Sequence, residues 1–519
     1  MRGVRLRVAV LPVLACLALS VSGCGLTAGD DGGGPVRVGT TDTVSTLDPA
    51  GAYDAGSWAL YGNVYQSLLT FGPGSGTPVP DAARRCSFRG DDLRTYVCEL
   101  RPGLRFANGH ELTAEDVKFS FDRIGRIDSP QGPRSLLETL GSVEASADGT
   151  TVTFRLKVPD ATFPLKIATG AGSIVDGELY PADRLRRGEE ADGSGPYVLA
   201  DYEPGASAEL ERNKHYKGAV KKVGGDVTVR YFADPSRMSD AWKRRAVDVA
   251  ARQMPPADLA GLSSADSGVR VSENAAANTR FLVFNQREGS PLRAAAVRRA
   301  IAAVVDREAL ARDVHLRTVE PLYSLVPQGL TGHATSFFDA YPRPDPGRAA
   351  QLLKQAGVTT PVAFRIAYSQ GAVTDQEAAL LKRQLEATGL FRVSTLRVAW
   401  QEFQEGYAKG AYDAYCVSWV ADFPDPDTFT SPLVGADNAF HSGYSSTRVE
   451  DLIRVTRRNP QRNRVAAEVR SIQKIVAEDV PLVPLWQKKD YVLGRSAVSG
   501  TQYLSDGTGI WRLWMLGRI

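Results

Sequence analysis

Between Thr279 and Val420 short apolar runs alternate with longer amphipathic ones, and this alternation restricts the fold more than any other feature. "TRFLVFN" reads as a buried strand, and "LRAAAVRRAIAAVVDREALARDV" after it as one helix with Val297, Ile301, Val304 and Val305 on its apolar side. The pattern continues through "GRAAQLLKQAG", "VAFRIAYS", "DQEAALLKRQLEATG", "FRVSTLRVAW", "EFQEGYAKG" and "YDAYCVSWV". Strands and helices interleaved in this way predict α/β lobes built on mixed sheets. Ligands of such sheets sit in a crevice beyond strand ends, and "SWVADF" stands at one.

The first half is richer in short strands. "PVRVGTT" reads as a strand and "GSWALYGNVYQSLLTF" as a helix, and β-like runs from "CSFRG" to "VTFRLK" surround one further helix. That helix opens at "LTAEDVKFSFDRI", where Thr113 can cap and Asp116 completes an approximate capping box. Val117, Phe119, Phe121 and Ile124 do not form a single stripe, which predicts burial on more than one side. "YVLADYEPGASAELERN" reads as a hairpin turning at Pro204-Gly205, followed by a strand at "DVTVRYF" and a helix at "PSRMSDAWKRRA".

The N-terminus carries an address. "MRGVRLR" is basic, "VAVLPVLACLALSVS" is apolar but short of the roughly 20 residues of a spanning helix, and small residues follow. The close, "VSGC", resembles a bacterial lipobox, so residues 1–24 are expected to be a lipoprotein signal peptide with Cys24 lipidated. "GLTAGDDGGGPV", residues 25–36, reads as a flexible tether reaching at most about 40 Å. These features place the mature chain on the outer face of the cytoplasmic membrane, lipid-anchored. About 495 residues remain after processing, too many for one core, so two or more lobes are expected.

In that oxidising setting Cys86 and Cys98, flanking "SFRGDDLRTYV", are a disulfide candidate across a short hairpin, and Cys416 is left unpaired. The net charge of +3 includes the signal arginines, and with no basic stripe it argues against nucleic acid as a partner. His110, His215, His315, His333 and His441 form no HExxH, there is no CxxC spacing, GK[ST] or GxSxG, and no metal site, cofactor or catalytic residue is assigned. The chain is read as a non-enzyme.

Ten stretches in order resemble the peptide/nickel-type extracellular solute-binding proteins, family 5, the binding subunits of ABC importers. The strongest is "LRPGLRFANGHELTAEDVKFSFDRI". It is supported by "TLDPA", "NVYQSLLTF", "GSGPYVL", "LERNKHY", "FNQREGSPLRAAAVRRAIAAVVDREAL", "LVPQGL", "DPGRAAQLLKQAG", "YDAYCVSWVADFPDP" and "VPLVPLWQ". The resemblance implies an α/β, two-lobe periplasmic-binding-protein-like fold of type II, with mixed sheets, a hinge, an interlobe cleft and an extra subdomain. It would divide the chain into lobe I at 37–280 (extra subdomain about 73–192), lobe II at 281–487, and a C-terminal return to lobe I at 488–519. "FLVFN" and "PLVPLWQ" would be the hinge strands.

"SWVADFPDPDTF" holds the most distinctive chemistry, three aspartates among prolines and aromatics. A calcium loop is disfavoured, because Pro424 and Pro426 stiffen it and an EF-hand's glycine and glutamate are missing. In peptide-binding relatives the aspartate of a Trp-x-x-Asp here receives the ligand's α-ammonium, which makes Trp419-Val420-Ala421-Asp422 the candidate anchor. Asp425 and Asp427 are expected to be solvated. By the same resemblance Trp400, on the neighbouring strand, and Trp486, on a hinge strand, face the cleft. Cys416 stands where some peptide binders carry an arginine, and Tyr53, Asp54 and Gly56 line the cleft from lobe I.

The implied function is a lipid-anchored receptor, expected to be monomeric, that captures oligopeptides by lobe closure and hands them to ABC permease transmembrane subunits. The alternatives are a receptor for another small solute (metal chelate, sugar or opine) and a peptide-sensing signalling lipoprotein.

Overall fold

The computed structural model describes residues 33–262, 268–436, 438–505 and 508–519. The signal peptide, Cys24 and most of the 25–36 tether lie outside the described residues. Ten strands form the spine of one mixed sheet: β1 (Val36–Thr40), β2 (Tyr197–Glu203), β3 (Ser207–Arg212), β4 (Val227–Tyr231), β5 (Val249–Ala251), β6 (Val269–Phe284), β7 (Val362–Ser369), β8 (Phe391–Val398), β9 (Ala414–Val420) and β10 (Leu482–Arg495). Their order is β8-β7-β9-β6-β10-β5-β1-β4-β3-β2, and an eleventh strand, Val319–Pro321, pairs with β10. Pairs β1–β4, β1–β5, β7–β8 and β7–β9 are parallel, whereas β6 runs antiparallel to both β9 and β10.

The two largest hydrophobic cores among the described residues flank this spine, one in each of two lobes, and a smaller third gathers Met238, Trp242, Val247 and Leu493. The first lobe buries Val38, Trp58, Tyr61, Phe121, Phe154 and Trp511 among others. The second buries Phe281 to Phe284, Ile366, Leu381, Tyr415, Leu482 and Leu485. β6 and β10 cross from one to the other: Leu485 of β10 packs in the second core and Val492 in the first. Their register breaks between Ala275 and Thr279, so the paired strands bend where they leave the first lobe.

Helices follow the apolar periodicities closely but not completely. The first are α1 (Ala55–Val64) and α2 (Ala114–Ile127). At the start of α2 the Thr113 N–H donates to Asp116 Oδ2 at 2.8 Å, the reciprocal half of the capping box. Buried Arg123 reaches back from α2 to Asp48 of "TLDPA", with Nη1 2.7 Å from Oδ1, which ties two of the recurring stretches together. The single helix expected over "LRAAAVRRAIAAVVDREALARDV" is broken. α3 (Ala295–Ala302) ends, and a new turn starts at Arg307, because Asp306 accepts from the Ala309 N–H at 2.9 Å and caps a fresh N-terminus. Beyond it lie α4 (Thr374–Glu386), α5 (Trp400–Lys409), α6 (Asp427–Val434) and α7 (Thr447–Arg457).

A separate four-stranded sheet, Ala83–Phe88, Thr95–Leu100, Thr151–Leu156 and Leu140–Ala145, extends the first lobe. Cys86 and Cys98 sit directly opposite across its first hairpin, joined by a disulfide.

Candidate functional site

Strand β9 is enclosed from Ala414 to Val417 and opens to half-burial at Ser418, Trp419 and Val420. The chain then crosses between lobes. Ala421 packs in the second core, donating its N–H to Ala277 O at 2.8 Å, while Phe423, two residues later, is buried in the first. Asp422 lies at that crossing and is 7 % exposed. Its Oδ2 accepts from Tyr53 Oη at 2.8 Å, reaching over from the first lobe, and from Thr428 Oγ1 at 3.2 Å. Burial is the dominant influence on this carboxyl and pushes it up to about 7, against the opposing pull of the two hydroxyls and of Lys166. Neither hydrogen-bond partner is a cation, and the Lys166 ammonium is already committed to Asp160 at 2.8 Å.

Tyr53 is held in place by stacking on Trp58, 5.1 Å between ring centroids, and its hydroxyl is shifted upward by burial and by the adjacent Asp422. The other two first-lobe candidates serve the backbone. Asp54 caps α1, taking the Ser57 N–H at 2.8 Å on Oδ1 and the hydroxyls of Ser45 and Ser57 on Oδ2. A Cβ at Gly56 would come within 2.2 Å of Thr43 O, so α1 can approach that loop only with glycine there. A small cavity at the end of β1 is lined by Gly56 with Thr40, Asp42, Tyr231 and Trp511; Asp422 does not line it.

Of the second-lobe aromatics, Trp419 is half-buried, donating Nε1–H to Thr428 O at 2.7 Å and meeting Phe440 edge-on. Trp486 is also half-buried, but its Nε1–H is spent on Glu377 Oε2 at 2.6 Å. Trp400 departs from expectation. The strand stops at Val398, and Trp400 opens α5, 54 % exposed, its ring lying over Phe403 one turn on. Cys416 is likewise not a surface residue: set between β7 and β6 it is 1 % exposed, and burial pushes its thiol up to about 12.

The expectation that Asp425 and Asp427 are solvated is overturned. Both are buried, at 3 % and 4 % exposure. Asp425 is clasped by Arg462, Nε to Oδ2 and Nη2 to Oδ1 each at 2.8 Å. Asp427 faces Arg457 Nε at 3.9 Å, and burial shifts its carboxyl upward despite that cation. Arg457 also bridges the lobes. Its Nη2 is 2.7 Å from Glu138 Oε1, and its backbone oxygen accepts from the Ala161 N–H at 2.7 Å, both on the first lobe. A carboxylate buried without a counter-ion is costly, so arginines that lie 30 or more residues downstream complete this loop.

One cluster escaped notice in the sequence. Arg280 of β6 donates Nε–H to Glu377 Oε1 of α4 at 2.8 Å. Glu377 Oε2 lies 3.3 Å from His315 Nε2 as well as accepting from Trp486. Burial opposes ionisation of Glu377, but Arg280 and the other two partners hold its carboxyl down at about 2. An arginine directly before the apolar run "FLVFN" was the available signal.

Among the described residues, no group of three or more His, Cys, Asp or Glu side chains is placed to hold a metal ion. The sequence profile of the bacterial extracellular solute-binding proteins, family 5, matches residues 77–441. The chain belongs to that family. It is 30 % identical over 472 residues to di/tripeptide-binding protein 2 of Pseudomonas aeruginosa, covering 84 % of this chain and 86 % of the relative. It is 26 % identical to the probable D,D-dipeptide-binding periplasmic protein DdpA of Escherichia coli, covering 89 % and 90 %. Among solved structures, the periplasmic binding protein DppA of Helicobacter pylori, in complex with the peptide STSA, superposes with a TM-score of 0.81 at 22 % identity. That match covers 93 % of this chain and 98 % of the other and shows the shared fold. Solute-binding family members of this kind serve transport, and this chain carries their architecture over nearly its whole described length.

Proposed function

We propose that the protein is a peptide receptor of an ABC importer, anchored through Cys24 outside the cytoplasmic membrane, that closes two lobes on its ligand and presents it to permease subunits. Asp422 carries the reading. A carboxylate buried at the lobe crossing, hydrogen-bonded only to hydroxyls, is poised for a cation, and a peptide's α-ammonium is the right size and charge. Half-buried Ser418, Trp419 and Val420 offer backbone groups to an extended ligand in the manner of an added strand. The named specificities of the two relatives, di/tripeptides and D,D-dipeptides, agree with this choice. Tyr53 joins Asp422 from the opposite lobe, so ligand capture at that carboxylate is coupled to closure.

The test is native mass spectrometry of the full chain in detergent, as purified and after offering peptides of mixed sequence. Retained peptides that are lost on N-acetylation, and lost from Asp422→Asn, establish the reading. Retention of a single non-peptide mass that Asp422→Asn does not disturb would sink it.

A further inference from the structure

One end of the first lobe carries positive charge that its own carboxylates do not neutralise. Segment 212–226, joining β3 to β4, holds Arg212, Lys214, Lys217, Lys221 and Lys222 against a single acid, Asp226. Arg212 Nε lies 3.7 Å from Asp226, but the four lysines are exposed, and among the described residues none of them pairs with a carboxylate. Two other acids of this end are spent. Asp248 takes Arg37 at 2.7 Å and Arg518 at 3.0 Å, and buried Asp81 accepts from Tyr216 Oη and the Ala219 N–H, each at 2.7 Å. Glu211, at the end of β3, is exposed and offsets one of the charges. The segment is also fixed in place. Asp81 organises its turn, the Gly224 N–H donates to Trp514 O at 2.9 Å, and a Cβ at Gly224 would collide with Leu516 O.

Its position relates it to Cys24. Val227, which follows the segment, pairs with Val36 at the start of β1, and the Val36 N–H donates to Asp226 O at 2.9 Å. The lysines therefore lie at the end of the sheet where the chain from Cys24 joins the fold. From there β1 runs the other way, to the cavity lined by Thr40, Asp42 and Gly56, close in the chain to Tyr53 and its bond to Asp422. The basic end and the lobe crossing are thus at opposite ends of β1. Twelve residues separate Cys24 from Val36. A Gly-rich chain of that length averages about 20 Å end to end and reaches at most about 40 Å. Exposed charges act on an anionic surface only within about a Debye length, roughly 8 Å at physiological ionic strength. An anchor at Cys24 keeps these four lysines near enough to be captured, which it does not do for exposed Lys354, Lys409 and Lys474 of the second lobe.

We propose that this lysine face docks on anionic phospholipid headgroups beside the anchor and holds the lobe crossing turned away from the lipid. Each lysine near such a surface strengthens attachment about fivefold. Four together select an orientation, yet the contact stays reversible, so the receptor can leave it to meet a permease. The assignment rests on lipid anchoring at Cys24 and adds to it the face on which the anchored chain lies.

The experiment places the lipidated chain in vesicles of phosphatidylcholine, with and without phosphatidylglycerol. Amine acylation of each lysine is read by peptide mass spectrometry, and neutron reflectometry on matching supported bilayers gives the gap between lobe and lipid. With phosphatidylglycerol, acylation of Lys214, Lys217, Lys221 and Lys222 should fall about fivefold while Lys354, Lys409 and Lys474 keep their rates. High salt should abolish that protection. The gap should close on the anionic bilayer and stand at about 20 Å on the neutral one. The variant Lys214→Gln/Lys217→Gln/Lys221→Gln/Lys222→Gln should stand off from both. Equal acylation in the two vesicle types, or a gap that ignores lipid charge, overturns the docking face and leaves the anchor standing. Protection by soluble polyphosphate in detergent, with none on anionic vesicles, overturns it in favour of a soluble polyanion. A Cys24→Ala chain that stays with the vesicles as firmly as the unaltered one overturns the anchor and the docking face together.

Discussion

The loop from Ser418 to Phe429 contains two electrostatic regions of opposite design. Asp425 and Asp427 are buried against arginines of the same lobe, with Arg462 gripping Asp425 through both of its oxygens. Asp422, three residues before Asp425 and no more exposed than 7 %, faces two hydroxyls and no free cation. Equal burial with unequal pairing separates charges that hold a structure together from a charge kept for something else. Asp425, gripped by Arg462, stabilises a geometry, whereas Asp422 has no cation to complete it. Sequence alone cannot sort the three, since they differ only in which distant residues approach them.

The largest contrast should come from removing a counter-ion. Arg462→Ala leaves Asp425 buried and unpaired and should cost about 3–5 kcal/mol of stability in urea unfolding. Asp422→Asn should leave stability unchanged or slightly raised, because it removes a charge the fold does not neutralise. If both substitutions destabilise equally, the distinction fails. The same Asp422→Asn protein should lose peptide affinity by about 2–5 kcal/mol, at least roughly 30-fold, in calorimetry.

Arg457 sharpens the comparison because it serves both the loop and the opposite lobe. It touches Asp427 and Ser431 on its own side and Glu138 across the cleft. Arg457→Gln should therefore shift the lobes toward opening, raising the radius of gyration in solution scattering, and weaken peptide binding by about tenfold. An unchanged scattering profile with unchanged affinity would show that the bridge follows closure without contributing to it.

How much of this was legible depends on the range of the interactions. The α/β alternation is local, and "LTAEDVKFSFDRI" announces its own cap, so helix α2 and the mixed sheet were readable. Cys86 and Cys98 are close in the chain, and the hairpin between them is short. Asp422 was singled out through the Trp-x-x-Asp pattern, and the structure places it on Tyr53, another candidate, 369 residues away. Trp400 was misplaced because a strand's end and a helix's first turn share the same few residues, and only tertiary packing draws the line. Asp425, Asp427 and the Arg280–Glu377–His315–Trp486 cluster depend on partners brought together by the fold, so no pattern in the sequence marks them as pairs.

The smallest expected effects concern the proton on Asp422. In the folded chain its carboxyl is raised by burial from 3.8 to about 7. Protonation therefore favours the folded state, a contribution fully present below 3.8 and lost as pH rises through about 7. Binding an ammonium requires the opposite state, the carboxylate, so peptide affinity should fall as pH drops below about 7. It should also fall above about 8, as the peptide's own amine loses its proton. Asp422→Asn should abolish the acid limb. Tyr53→Phe should move it instead: the Tyr53 hydroxyl donates to Asp422 and lowers its pKa, so removing it raises that value and carries the acid limb to higher pH. With one hydrogen bond to a charged group lost, affinity near pH 8 should drop by about 1.5–3 kcal/mol at most, less if water replaces the hydroxyl. Calorimetric titrations across pH 5 to 9 separate the two variants. An acid limb that survives in Asp422→Asn, or that fails to shift in Tyr53→Phe, would mean that a different group receives the ligand's charge and that Asp422, like Asp425, serves the structure alone.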